Sequence, residues 1–167
     1  MKRAFCFFLV VSVFVFSGCS GVKEAPVKEE FTSGIIIKAL QFAPEDFTVE
    51  AQVQRSSKGE LNITITSPEE IKGLTYSYLD KFCMSFNDYC CETECDYLPE
   101  FSFPQVIRNV LADFFQNAEC ADKSAEGCTY RGKSLSGEYI VSTDKDGNIK
   151  NISVEEINFE CEFINNP

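Results

Sequence analysis

Phe47-Thr48-Val49-Glu50-Ala51-Gln52-Val53-Gln54, then Ser56-Ser57-Lys58-Gly59, then Leu61-Asn62-Ile63-Thr64-Ile65-Thr66 is the stretch that decides the fold. Phe47, Val49, Ala51 and Val53 alternate with polar neighbours, and so do Leu61, Ile63 and Ile65. A period of two puts every apolar side chain on one face of a strand and every polar one on the other. The short Gly-containing segment between the two runs is a turn, so they pair as an antiparallel hairpin with one dry face.

The same period recurs on both sides. Gly34 to Leu40 is rich in β-branched residues and reads as a first strand, closed by Pro44-Glu45-Asp46. Ser67-Pro68-Glu69-Glu70 opens at most one helical turn, because Gly73 follows at once. Leu74, Tyr76 and Tyr78 mark a further strand, and Phe82, Met84 and Phe86 another. Residues 92–97 add a short one before Pro99. The period changes once: after Ser102, a suitable N-cap, and Pro104, tolerated in a first turn, Val106, Ile107, Val110, Leu111, Phe114 and Phe115 recur at helical steps. Asn117 to Gly127 reads as a polar loop. Strands are then expected at 138–143, 149–154 and 157–164, the first two joined by Asp144-Lys145-Asp146-Gly147-Asn148. A sheet with one dry face and a single long helix must curl to cover that face.

The chain opens differently. Lys2 and Arg3 precede an apolar run from Ala4 to Phe16, and Ser17-Gly18 lead into Cys19. The run has the length of a secretory core and is shorter than the ~20 residues of a usual spanning helix. The layout resembles the lipobox family of bacterial export signals, with Phe16 where an aliphatic residue is usual. The resemblance implies cleavage before Cys19, diacylation of Cys19 by palmitate-class chains, and tethering to the extracytoplasmic face of the cell membrane. Residues 1–18 then form the signal peptide, 19–30 the lipidated cysteine with an acidic flexible linker, and 31–167 one domain.

The whole chain carries 15 Lys and Arg against 26 Asp and Glu, a net charge of −11. Removing residues 1–18 takes away Lys2 and Arg3 and no acid, so 13 − 26 leaves −13. Nucleic acid needs a basic face and is not an expected partner. The chain has no His, which excludes Ser-His-Asp and Cys-His catalysis and His-ligated zinc. No cofactor and no enzymatic activity are expected.

Several stretches carry a second resemblance: Ser67-Pro68-Glu69-Glu70-Ile71-Lys72-Gly73-Leu74-Thr75-Tyr76, Leu98-Pro99-Glu100-Phe101-Ser102-Phe103-Pro104 opening the helix, and Ser136 to Ile149 (S-G-E-Y-I-V-S-T-D-K-D-G-N-I). Together they look like a lipoprotein group of Firmicutes, similar in fold to the periplasmic lipoprotein carrier and outer-membrane lipoprotein receptor (the Lol-type fold) and to mycobacterial lipid-carrying lipoproteins. The resemblance implies an α+β fold: a curved, incompletely closed antiparallel half-barrel with one main helix in its concave face. In such relatives the concavity carries acyl chains. The side chains expected to line it here are Phe47, Tyr76, Tyr78, Phe86, Val110, Leu111, Phe114 and Phe159. If the helix fills the concavity, the same side chains are ordinary core.

Seven cysteines follow Cys19. Cys120 and Cys128 bracket a short loop and are the expected disulfide. Cys90 or Cys91 with Cys95 is an alternative at the hairpin end, and Cys83 and Cys161 lie on strands. The cluster Cys90-Cys91-Glu92-Thr93-Glu94-Cys95-Asp96 could bind a soft cation, but it lacks a Cys-x-x-Cys pair and any basic neighbour that would lower a thiol pKa. No metal site is assigned. Asp144 to Asn148 has some features of a calcium loop but begins and ends on the wrong residues, and reads as a turn. The expected function is a membrane-anchored binding protein for a lipid or other apolar ligand. The alternatives are an envelope interaction module with a filled core, and a thiol-based metal or redox protein.

Overall fold

The structure, a computed structural model, describes residues 26–39, 48–94 and 98–164. Phe47, Cys19, Cys95 and residues 1–25 lie outside them. The deciding hairpin forms as β2 (Val49–Arg55) and β3 (Leu61–Ser67), with Ala51 opposite Ile65 and Val53 opposite Ile63. The apolar members of both strands are buried and Glu50, Gln52 and Gln54 are exposed. Around it lie β1 (Phe31–Ala39), β4 (Thr75–Tyr78), β5 (Phe82–Phe86) and β6 (Tyr89–Thr93). The helix α1 (Phe103–Asn117) follows, then β7 (Glu119–Ser124), β8 (Gly127–Ser134), β9 (Gly137–Thr143), β10 (Ile149–Val154) and β11 (Phe159–Ile164).

The strands form one antiparallel sheet of order β6-β5-β4-β3-β2-β1-β11-β10-β9-β8-β7. The chain walks from β1 out to one edge, crosses by α1 to the opposite edge, and walks back until β11 pairs with β1. Ile35 then stands opposite Phe163, and Ile37 opposite Cys161. The edges β6 and β7 do not pair with each other, so the sheet is curved and open. Because α1 connects the two edges, it must cross the sheet on one side, and its apolar stripe settles which side. Val106, Ile107, Val110, Leu111 and Phe114 are buried in one cluster with the dry faces of the strands. The fold is therefore α+β, a half-barrel with the helix in its concave face. Among the described residues no helix is long and apolar enough to cross a membrane.

Three expectations need correction. The segment 117–127 is not a loop: most of it is the edge strand β7, and β8 follows without having been expected at all. All six residues of β7 are exposed, so it has no dry face to impose an alternation, and it forms by pairing its backbone with β8. The short strand placed at 92–97 forms earlier, at Tyr89–Thr93. Ser102 occupies the N-cap position, but its hydroxyl donates to the Pro99 carbonyl at 2.8 Å and caps no helix amide.

Two polar devices fix α1 to the sheet. Tyr139 on β9 crosses its cross-strand partner Gly132 on β8 and donates to Asp113 of α1 at 2.7 Å. A Cβ at position 132 would lie 2.9 Å from Cε1 of Tyr139 and closer still to its Cζ and hydroxyl, so only glycine leaves room for the ring. On the helix side facing β4 runs a buried relay. Tyr78 donates to Gln105 Oε1 at 3.2 Å, Gln105 to Asn109 Oδ1 at 3.2 Å, Asn109 to Ser136 Oγ at 3.0 Å, and Ser136 to the Glu100 carbonyl at 3.3 Å. Among the described residues no buried side-chain polar atom lacks a partner. Low-dielectric polar groups destabilise unless satisfied, and satisfied they select one docking of the helix.

Candidate functional site

Sheet register and helix spacing build the site together. Arg55, Leu61 and Tyr78 form one row across β2, β3 and β4, each directly opposite the next. Arg55 holds the inward parity of Val49, Ala51 and Val53, so a cation stands where the strand pattern calls for an apolar residue. Above this row α1 presents Arg108, Leu111 and Phe115, spaced three, four and seven apart and therefore on neighbouring positions of one face. Between row and helix lies a groove of about 390 Å³.

Its cations are held by aromatic rings. The Arg55 guanidinium carbon sits 4.0 Å from the centroid of Phe115, and that of Arg108 sits 5.4 Å from the centroid of Tyr78. These distances suit cation–π attraction, which a planar guanidinium uses well. Arg55 also donates to the main-chain carbonyl of Glu29. Burial pushes the Arg55 pKa below its usual value, with the charge of Glu29 acting in the opposite direction. Among the described lining residues, the basic Arg55, Lys58 and Arg108 stand with one acid, Glu29, in a chain whose net charge is −11.

The segment before β1 closes one end of the groove. The Lys28 amide donates to the Gly147 carbonyl at 3.2 Å, and its ammonium to Asn148 Oδ1 at 2.7 Å. Gly147 has a φ of +78°, and a Cβ there would collide with the Pro26 carbonyl. Within the segment expected to be a flexible linker, Lys28 and Glu29 are therefore tied to the fold. Val27 and Glu29 line a smaller recess of about 160 Å³ on the other side of Phe115, together with Phe114 and Tyr130.

The side chains expected to line a lipid cavity do not gather at one place. Tyr78 and Leu111 reach the groove and Phe114 the recess. Val110 and Phe159 are buried in the core. Tyr76 is half-buried, its ring edge-on to Phe103 at 5.7 Å, and burial raises its pKa. Phe86 is half-buried near the β5–β6 turn. Among the described residues, Val106, Ile107 and Val110 of the helix are fully buried against the sheet, the groove lies beside the helix, and a separate opening of about 630 Å³, which Phe159 helps to line, lies over β8 to β11. Sequence reasoning missed Arg55, Arg108 and Phe115, although the inward parity of Arg55 and the seven-residue step from Arg108 to Phe115 were signals.

The strand register also places the cysteines. The register sets Cys120 opposite Tyr130 and Cys128 opposite Lys123, with a bulge between Cys120 and Asp122, and the two sulfurs are not bonded. A two-residue offset along the hairpin separates them. Cys161 lies in β11 at the middle of the sheet, several strands from Cys83, and is fully buried, which pushes its thiol pKa far up. Cys90 and Cys91, adjacent on β6, project to opposite faces and do not converge. Among the described residues no group of three or more potential metal ligands comes together. Asp144 is committed to its turn, accepting from the amides of Asp146 and Asn148 at 2.9 Å each and from the Asn148 side chain at 2.8 Å. Burial opposes ionisation there, but these bonds and the Lys28 charge hold its pKa below the usual carboxylate value.

No protein-family model matches the chain, and no curated protein matches it either. Among solved structures, it is similar to a LolA superfamily protein from Nitrosomonas europaea, at 8% identity and a TM-score of 0.42, over 83% of this chain and 70% of that one. It is also similar to a chain in the structure of the CwlD amidase from Clostridioides difficile in complex with the GerS lipoprotein. There the identity is 11% and the TM-score 0.48, over 100% of this chain and 95% of that one.

Proposed function

We propose that this chain is a membrane-anchored extracytoplasmic lipoprotein, tethered through Cys19, that binds an anionic amphiphile of the lipid class without chemistry. The observation that supports the reading is the groove: Arg55, Lys58 and Arg108 over an aliphatic and aromatic floor, in a chain that is otherwise acidic. A phosphate or carboxylate head group meets the guanidinium groups, which favour bidentate contacts to such anions. The first methylenes of its chain lie along Leu61, Leu111 and Phe115. The anchor suits this role. Cys19 precedes Glu29, which lines the groove, by ten residues, and these span at most about 35 Å when extended. A lipidated Cys19 therefore keeps the groove within about 35 Å of the bilayer.

The test is a native mass spectrum of the mature chain prepared without detergent, followed by titration with vesicles of phosphatidylglycerol or of phosphatidylcholine. Binding to the anionic vesicles that weakens in Arg55→Ala supports the reading, and equal binding to both vesicle types sinks it. Anchoring is tested separately by palmitate-analogue labelling, which Cys19→Ala should abolish.

A second reading is an interaction module for an envelope protein, and the filled concavity favours it. Val106, Ile107 and Val110 have no exposed surface, so along this stretch the described residues of helix and sheet pack directly on each other. A mature protein that carries no lipid and binds neither vesicle would establish this reading over the first.

A further inference from the structure

Cys83 on β5 and Cys90 on β6 bring their sulfurs to 2.7 Å. A disulfide bond is about 2.05 Å long, so roughly 0.7 Å of side-chain adjustment separates contact from bond. The register explains the approach. Cys83 stands opposite Glu92 and Ser85 opposite Cys90, so the two cysteines are diagonal neighbours on one face of the hairpin. Lys81 and Glu92 make an ion pair of 2.7 Å across the same two strands. Cys91 stands opposite Met84 on the other face and does not compete.

We propose that Cys83 and Cys90 are a disulfide-forming pair that staples the edge hairpin β5–β6 once the protein meets an oxidant of the disulfide class. Accessibility and position both support the assignment. Cys90 is exposed and Cys83 half-buried, so a small oxidant reaches them. β6 is the outermost strand and its backbone pairs on one side only, with β5, so a covalent link there closes the least supported end of the sheet. The thiol of Cys83 is raised to about 11, first by its hydrogen bond to Cys90 and then by burial and neighbouring charge. Cys90, the more exposed of the two sulfurs, is the first to meet the oxidant. Its thiolate attacks a disulfide R–S–S–R, forming a mixed disulfide and releasing one R–S⁻. The Cys83 sulfur, on losing its proton to solvent, then attacks Cys90 Sγ and expels the second R–S⁻. The cysteines lose two electrons and two protons, and one small-molecule disulfide becomes two thiols. The inference depends neither on the groove nor on the anchor.

The full mature chain, treated with excess glutathione disulfide and then alkylated, provides the test. Cleavage before Asp80, Asp88 and Asp96 leaves Cys83 on residues 80–87, and Cys90, Cys91 and Cys95 together on 88–95. The expected result is a cross-linked pair of these peptides, lost on reduction, whose fragment ions place the bond at Cys90. It should persist in Cys91→Ser and vanish in Cys90→Ser. Recovery of residues 80–87 with Cys83 alkylated, or a bond from Cys83 to any cysteine other than Cys90, overturns the assignment. The wild-type map decides by itself if a variant folds poorly.

Discussion

The phenol of Tyr139 crosses Gly132 and donates a 2.7 Å hydrogen bond to the carboxylate of Asp113, tying the β8–β9 hairpin to the one α-helix among the described residues. Tyr139 is 2% exposed, while Asp113 is half-buried and its other oxygen accepts from Asn117 Nδ2 at 2.7 Å. Deleting the hydroxyl removes a bond to a charged acceptor. Tyr139→Phe should therefore cost about 1.5–3 kcal/mol, the range for hydrogen bonds to charged groups, read as a lower urea midpoint at unchanged m-value.

The same bond predicts a pH dependence. Burial, and after it the hydrogen bond and negative charge of Asp113, hold the Tyr139 pKa well above its ordinary value. A pKa raised in the folded state means that the unfolded chain gives up its proton first as pH rises. Its stabilisation is complete below about pH 10, the unperturbed tyrosine value, and is lost as pH climbs through the folded pKa. Stability measured between pH 9 and 11 (about one unit on either side of the unperturbed tyrosine pKa) should fall more steeply in the wild type than in Tyr139→Phe. Equal slopes would show that Tyr139 does not contribute.

Gly132→Ala tests the path of the ring rather than its hydroxyl. The added methyl meets Tyr139 Cζ and Cε1 at less than contact distance, and the ring must leave its seat over the strand. The expected cost is about 1–3 kcal/mol, as for an overpacked core. The variant should also lose the alkaline sensitivity assigned to Tyr139. A variant as stable as wild type would mean that the strand moves instead of the ring.

The groove makes a binding prediction. Arg55→Ala and Arg108→Ala should each weaken binding of an anionic amphiphile about tenfold, the equivalent of ~1.4 kcal/mol, with steeper salt dependence in the wild type than in either variant. Arg55→Lys should restore little, because an ammonium does not stack on Phe115 as a planar guanidinium does. Equal affinities in all four proteins, measured by vesicle sedimentation, would remove the groove as the site.

Enlarging the helix stripe separates a filled concavity from a roomy one. Val110 has no exposed surface and Leu111 is 2% exposed, so Val110→Phe should cost about 1–3 kcal/mol through overpacking. A neutral change in the urea midpoint would reveal space between helix and sheet that could take an acyl chain.

Much of the architecture was legible because alternation reports a dry face directly. Val49, Ala51 and Val53, and then Leu61, Ile63 and Ile65, could be read as a hairpin before any coordinates, and the helical step from Val106 to Phe114 marked the one change of period. Glu119 to Ser124 was not legible as a strand. All its side chains face water, so burial imposed no pattern, and it is a strand because β8 offers it a backbone to pair with. The buried Gln105 and Asn109 were hidden for a related reason: polar residues on a helix are usually taken for its wet side, and only their partners Tyr78 and Ser136 make an inward position tolerable.

The local sequence determined by itself that this is a sheet-forming chain with one apolar helix, strongly acidic and without histidine. Those properties depend on residue types and short periods, which neighbours along the chain suffice to express. Tertiary structure alone decided that Arg55 meets Phe115, that Tyr139 reaches Asp113, and that Cys83 finds the sulfur of Cys90 at 2.7 Å. Each of these contacts depends on strand register and on where one helix comes to rest across an open sheet. Register and docking are set by the packing of the whole core, to which no short window of sequence has access.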